Sequence, residues 1–210
     1  MKKIYVINTG TSNVKSLINA IQHLNYKPII FNHDRNINDA DCIILPGVGS
    51  FDGVMKTMNN NDLINPIKVA VIEKKIPILG ICVGMQIFFS ESEEGTYTGL
   101  DLVNGKISKL FYNPSLNLKV PNTGFREVCF SKKNPLITAT IEKEFLYFNH
   151  SYGLISNNFK HNHDFSHHNK NFVASFNIDN IFGMQFHPEK SQKFGLFLLK
   201  NFIELSFRHI

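Results

Sequence analysis

The sequence predicts an α/β fold: a mostly parallel central sheet flanked by helices, with an added antiparallel β region in its second half. Three observations carry the prediction. Short apolar runs alternate with amphipathic stretches through the first 90 residues, the pattern of right-handed βαβ units. Glycine-containing loops follow two of those runs, at Gly47–Gly49 and Gly80–Gly84, where the carboxyl ends of parallel strands open onto ligand sites. After Glu94 the texture changes to short β-like segments separated by turns.

The elements follow in order. Lys3 to Asn8 is a first strand, and Thr9-Gly10-Thr11 a turn. Ser12 or Asn13 can cap a helix whose apolar positions Val14, Leu17, Ile18, Ile21 and Leu24 recur at three-four spacing. Pro28 to Phe31 and Asp41 to Leu45 are the second and third strands. Pro46-Gly-Val-Gly-Ser50 follows, then an amphipathic stretch to Glu73 and an apolar strand from Ile76 to Leu79. Beyond it, Met85 to Phe89 has helical rather than alternating character. Gly105 to Leu110, Asn117 to Val120, Arg126 to Phe130, Phe145 to Phe148 and Phe172 to Asn177 are β segments expected to cover part of the sheet. The polar stretch Asn157 to Asn171, with His161, His163, His167 and His168, is expected to be a solvated loop; no Cys or spaced carboxylate set completes a metal site there. Ile181 to Phe186 is the last strand, and Phe194 to Phe207 a closing helix with Phe194, Phe197, Leu198, Phe202 and Leu205 inward.

Bulk properties exclude several classes. With 43% hydrophobic residues in 210, the chain can bury one ample core, and a single domain over 1–210 is expected. No apolar run is long enough to span a bilayer, and the apolar part of the start is too short for a signal peptide. The net charge of +5 is not gathered into a Lys/Arg block, so no nucleic acid partner is expected. Three widely spaced cysteines, Cys42, Cys82 and Cys129, suit a reducing cytoplasm better than a disulfide framework.

The chemistry concentrates at Gly80-Ile-Cys-Val-Gly84. A strand, a Gly-X-Cys-X-Gly turn and a helix make a nucleophile elbow, the thiol counterpart of Gly-X-Ser-X-Gly. The nucleophile of an elbow sits in strained backbone, and a Cβ on either side would crowd the turn. Free N–H groups at a helix start favour the thiolate form of Cys82. A thiol nucleophile needs a base and a group that orients the base. His187, at the end of an apolar strand, and Glu189, across the rigid Pro188, supply that pair. An oxyanion hole can be drawn from the N–H of Val83 and from the Gly47-Val48-Gly49 loop.

Pro46-Gly-Val-Gly, Gly80-Ile-Cys-Val-Gly-Met-Gln, Phe148-Asn-His-Ser-Tyr and Gln185-Phe-His-Pro-Glu resemble, in order and spacing, the class I (triad) glutamine amidotransferases. Within them the chain looks most like the glutaminase subunits of imidazole glycerol phosphate synthase, and the resemblance runs nearly end to end. The resemblance implies the flavodoxin-like fold of that class and one amidotransferase domain. It implies that Cys82 attacks the side-chain amide of glutamine, releasing ammonia, and that water then hydrolyses the thioester to glutamate. The ammonia would pass into a partner cyclase subunit built as one (β/α)8 barrel, which makes imidazole glycerol phosphate and AICAR. No cofactor and no metal are implied. Gln86, Glu94, Ser151 and Tyr152 match positions that hold substrate glutamine. Tyr147, Lys190 and Asn13 match positions facing the barrel.

The chain departs from the histidine-pathway pattern Pro-His-Met-Gly-Trp-Asn, reading Pro121-Asn-Thr-Gly-Phe-Arg126, and Asn149 stands where an apolar residue is usual. None of these positions belongs to the triad. They leave open a paralogous subunit that supplies ammonia for amidination of a bacterial surface sugar. A free-standing cysteine γ-glutamyl hydrolase and a degenerate docking subunit are the other readings; an intact Cys82, His187 and Glu189 oppose the last.

Overall fold

Ile4–Ile7, all four buried, form strand β1, one strand in from the edge of a nine-stranded sheet. The structure is a computed structural model that describes residues 2–10, 14–31, 35–111, 119–137, 141–168 and 170–208, with 167, 168 and 170 as backbone only. The elements after β1 are helix α1 (Val14–His23), β2 (Pro28–Phe31), β3 (Cys42–Gly47), α2 (Phe51–Asn60) and α3 (Ile64–Lys68), which runs into a π-helical turn at Val69–Glu73. Then come β4 (Ile78–Cys82), α4 (Val83–Gln86), β5 (Glu91–Ser92), β6 (Lys106–Lys109), β7 (Asn122–Cys129) and β8 (Lys143–His150). The chain ends with β9 (Tyr152–Leu154), β10 (His163–His168), β11 (Lys170–Ile178), β12 (Ile181–Met184) and α5 (Gln192–Ser206).

The sheet order is β2-β1-β3-β4-β12-β11-β10-β7-β8. From β2 to β12 all pairings are parallel, and β1, β3, β4 and β12 are buried along their whole length. That is why these strands read as continuous apolar runs: both faces are covered. In the ladder Gly47 stands opposite Cys82 and Gly183 opposite Gly80, so three strand ends reach one edge together. From β12 to β8 the pairings are antiparallel. A separate small sheet joins β5, β6 and β9.

Aromatic side chains lock the two halves. Phe148 of β8 meets Phe172 of β11 and Phe186 edge-on, with centroids 5.4 Å and 5.9 Å away. All three are fully buried, each stabilising the fold by about 1.5–3 kcal/mol through burial. On the other side Phe182 of β12 packs on Phe202 of α5 at 5.2 Å. Of the residues expected to face inward from α5, Leu198 and Phe202 are buried, while Phe194, Phe197 and Leu205 are partly buried against the core.

Four expectations change. The added β strands β11, β10, β7 and β8 do not lie over the sheet; they are hydrogen-bonded onto its edge and extend it. The polar stretch 157–171 is not a solvated loop but contains β10. Its inward residues there are Asp164 and Ser166, polar yet buried, so its periodicity is hidden from a hydrophobic reading. The helix after Cys82 stops at Gln86 instead of running to Phe89: the Ile87 and Phe88 carbonyls are taken by the N–H groups of Leu100 and Leu102. Of the segment Asn117 to Val120, residues 119 and 120 are not in a strand and the rest lies outside the described residues, as do the capping candidates Ser12 and Asn13.

Candidate active site

Cys82 ends β4 with φ 54° and ψ −116°, a left-handed conformation that non-glycine residues seldom adopt. The glycines around it are there for close approach. A Cβ on Gly84 would stand 1.9 Å from the Leu45 carbonyl oxygen. One on Gly80 would stand 2.6 Å from Met85 Cα, and one on Gly47 2.5 Å from the Gly84 nitrogen. The elbow is thus pressed flat against β3, which brings the Gly47–Gly49 loop beside the nucleophile. Because α4 is a single turn, its macrodipole is small.

His187 follows β12 and is 3% exposed. Its N–H donates to the Tyr147 carbonyl at 2.9 Å, and its own carbonyl accepts from Ser191 Oγ at 2.7 Å. Ser191 Oγ in turn accepts the Tyr147 N–H at 2.9 Å. The histidine is therefore clamped between β8 and the start of α5. Its Nδ1 lies 2.9 Å from Glu189 Oε1. Burial pushes the imidazole toward neutrality, but hydrogen bonds to Cys82 and Glu189 and the charges of both groups outweigh it, raising the pKa to about 10. The proton sits on the ring at neutral pH. The other carboxylate oxygen, Glu189 Oε2, is buried without a hydrogen-bond partner, so the imidazolium is what compensates this charge.

The cleft above Cys82 is lined by Val48, Gly49, Val83, Gln86, Glu94, Ser151, Tyr152, His187 and Lys190, together with Asn149 and His150. Of the residues singled out in the sequence, Gly47 and Glu189 lie behind it, on a second small cavity with Leu17 and Val48. Tyr147 stands at the flank: its ring is 6.4 Å from the His187 ring, and Lys190 Nζ lies 5.6 Å over its face. Asn13 lies outside the described residues. Glu94 Oε2 accepts the Phe51 N–H at 2.8 Å, tying the cleft to the start of α2 just beyond the glycine loop. Burial raises the Glu94 pKa, partly offset by that hydrogen bond.

Three contributors escape a reading of the sequence. Gln185 donates from Nε2 to Cys82 Sγ at 3.7 Å, and the Asn149 carbonyl lies 3.9 Å from the same sulfur. His150 lines the cleft and hydrogen-bonds through Nδ1 to the Tyr152 carbonyl at 2.8 Å. All three stand inside motifs already singled out, so the available signal is adjacency to those motifs. A cysteine sulfur sharing a cleft with a carboxylate-oriented imidazole and with the glycine loop is equipped to cleave an amide through an acyl-thioester.

The profile of the family described as glutamine amidotransferase class-I matches residues 5–205. The chain is 39% identical over 203 residues to the imidazole glycerol phosphate synthase subunit HisH of Leptospira interrogans, covering 96% of this chain and 100% of that protein. It is 40% identical over 201 residues to the imidazole glycerol phosphate synthase subunit HisH 2 of Methanococcus maripaludis, covering 96% and 98%. Among solved structures, PurLQS from Thermotoga maritima superposes with TM-score 0.73 at 18% identity, covering 97% of this chain and 98% of that one. A glutamine amidotransferase from Thermotoga maritima does so with TM-score 0.64 at 14% identity, covering 99% and 83%. Both show the same fold.

Proposed function

The chain belongs to the class-I glutamine amidotransferases, and from that premise we propose that it is the glutaminase subunit of an imidazole glycerol phosphate synthase. The observation that carries the reading is the convergence of Cys82, His187 and Glu189 where β4 and β12 end: Cys82 and His187 line one cleft, and His187 Nδ1 lies 2.9 Å from Glu189 Oε1. Relatives matched over nearly their whole length bear that subunit's name, which supports the pathway.

In the proposed mechanism the Cys82 sulfur attacks the side-chain amide carbon of glutamine. The developing oxyanion takes N–H donors from Val83 and the Gly47-Val48-Gly49 loop. His187 gives its ring proton to the departing nitrogen, ammonia leaves, and the γ-glutamyl group remains as a thioester. His187 then takes a proton from water, the hydroxide displaces the sulfur, and glutamate is released. Glu189 keeps the imidazole oriented and its positive charge compensated throughout. Gln86 and Glu94 contact the substrate glutamine, and the backbone at Ser151 and Tyr152 holds its amino-acid end. Ammonia passes to a (β/α)8-barrel cyclase subunit that docks beside Tyr147 and Lys190, and that barrel forms imidazole glycerol phosphate and AICAR. No helix among the described residues is long and apolar enough to cross a membrane.

The test is glutamate release by the purified chain, alone and with the cyclase barrel and its ribulosyl nucleotide. The reading expects little turnover alone and strong stimulation by the loaded partner. Cys82→Ala should abolish glutamine-dependent synthesis and leave ammonia-dependent synthesis by the complex intact. High turnover without any partner would point instead to a free-standing hydrolase.

A further inference from the structure

Four buried polar side chains that the mechanism leaves without a common purpose form one continuous chain behind the nucleophile. Gln185 and Asn122 are 0% exposed, Gln86 2% and His150 6%. Gln86 Nε2 donates to the Tyr152 carbonyl at 2.7 Å and to Gln185 Oε1 at 2.9 Å. The Tyr152 carbonyl also meets His150 Nδ1 at 2.8 Å, and His150 Nε2 meets Asn122 Nδ2 at 3.1 Å. Arg126 Nε donates to Asn122 Oδ1 at 2.9 Å, at the β7–β8 hairpin. The far end is Gln185 Nε2, 3.7 Å from Cys82 Sγ.

The polarity of this chain is dictated at both ends. A main-chain carbonyl can only accept, so the Tyr152 oxygen requires the NH2 of Gln86 on one side and a proton on His150 Nδ1 on the other. Arg126 can only donate, so Asn122 must turn its oxygen outward and its NH2 toward His150 Nε2. The second Gln86 N–H then needs an acceptor, which fixes Gln185 with Oε1 toward Gln86 and Nε2 toward the sulfur. The reversed Gln185 amide would face two NH2 groups against each other in a site closed to water, an unsatisfied arrangement that buried networks avoid.

We propose that Gln185 is a further residue of the catalytic centre: its side-chain N–H holds the Cys82 sulfur in place for attack, in an orientation set by the chain that runs through Gln86, Tyr152, His150 and Asn122 to Arg126. The role in turnover rests on the glutaminase reading; the hold on the sulfur does not. An N–H aimed at sulfur stabilises the negative charge that returns to it whenever the thioester breaks.

Alkylation of Cys82 by iodoacetamide at fixed pH reads the sulfur without any glutamine, and glutamate release in the presence of the loaded cyclase barrel reads turnover. In the full-length chain, Gln185→Leu and the isosteric Gln185→Glu should each slow alkylation by about tenfold. Turnover should fall by a similar factor with little change in KM for glutamine. Asn122→Ala should slow alkylation less, and should add nothing to Gln185→Glu. Gln185→Glu keeps the shape and the acceptor for Gln86, so it serves if Gln185→Leu does not fold. Alkylation of Gln185→Glu at the parent rate, or full additivity of the two substitutions, would overturn the proposal. Slowed alkylation in a protein that releases no glutamate even with the loaded cyclase barrel would sink the glutaminase reading alone.

Discussion

His187 Nδ1 lies 2.9 Å from Glu189 Oε1, and both side chains are nearly sealed from solvent at 3% and 9% exposure. Two residues apart and joined by a proline, they form a pair whose geometry is built locally, before the rest of the chain contributes. Glu189→Gln keeps an acceptor for the ring but removes the charge that compensates the imidazolium. Turnover of glutamine should fall by about a hundredfold or more, read as kcat in steady-state glutamate release. A drop confined to KM would take Glu189 out of the chemistry.

The same pair sets a pH dependence. The folded pKa of His187, about 10, stands above the ordinary 6.5, so its stabilisation is complete below pH 6.5 and is lost as pH rises toward 10. Denaturant unfolding of the parent and His187→Gln should show the widest gap near pH 6 and a shrinking one toward pH 10. A gap that widens with pH would contradict the assignment of the proton.

Asp164 offers an acid-side counterpart far from the cleft. Burial raises its pKa from 3.8 to about 6, against hydrogen bonds from Ser175, the Ser131 N–H and Asn134 and a smaller pull from His163. A carboxyl with a raised pKa stabilises the fold in full below 3.8 and loses that contribution as pH climbs through 6. The stability of the parent relative to Asp164→Asn should therefore fall by roughly 3 kcal/mol between pH 4 and pH 7, with glutamine turnover in the variant unchanged at pH 7.

Gly84→Ala introduces a methyl 1.9 Å from a main-chain oxygen of β3, where nothing flexible can yield. It should destabilise the chain by about 3 kcal/mol or more, measured by denaturant midpoint. Alkylation of Cys82 should also slow as the elbow shifts.

Lys190 stands over the Tyr147 ring at the rim of the cleft. With the barrel placed there, Lys190→Ala should weaken the stimulation of glutaminase by the loaded partner more than it weakens basal hydrolysis. A defect in basal hydrolysis alone would remove Lys190 from the docking face.

How much of this is legible in the sequence follows from where the information sits. Strands β1, β3 and β4 are continuous apolar runs because they are covered on both faces, and they can be read directly. Cys82 and the pair His187–Glu189 are marked by short motifs whose spacing is itself the geometry. Gln185 cannot be assigned that way, because its partner Cys82 is 103 positions away and the contact exists only through the β4–β12 pairing. Strand β10 reads as a loop because its core-facing side is made of hydrogen-bonded Asp164 and Ser166. Asn122 and Arg126 read as isolated departures from a family pattern; in space they are consecutive links of one hydrogen-bonded chain.

The opposition of Gly47 and Cys82 in the β3–β4 ladder has a consequence for how such a chain can diverge. Losing or gaining one residue inside either strand would rotate every side chain beyond it to the other face, separating the anion-stabilising turn from the sulfur at a stroke. Length variation among homologues should therefore be confined to the outer ribbons. Between residues 43 and 47, and between 78 and 82, only substitution without gaps is compatible with a working enzyme.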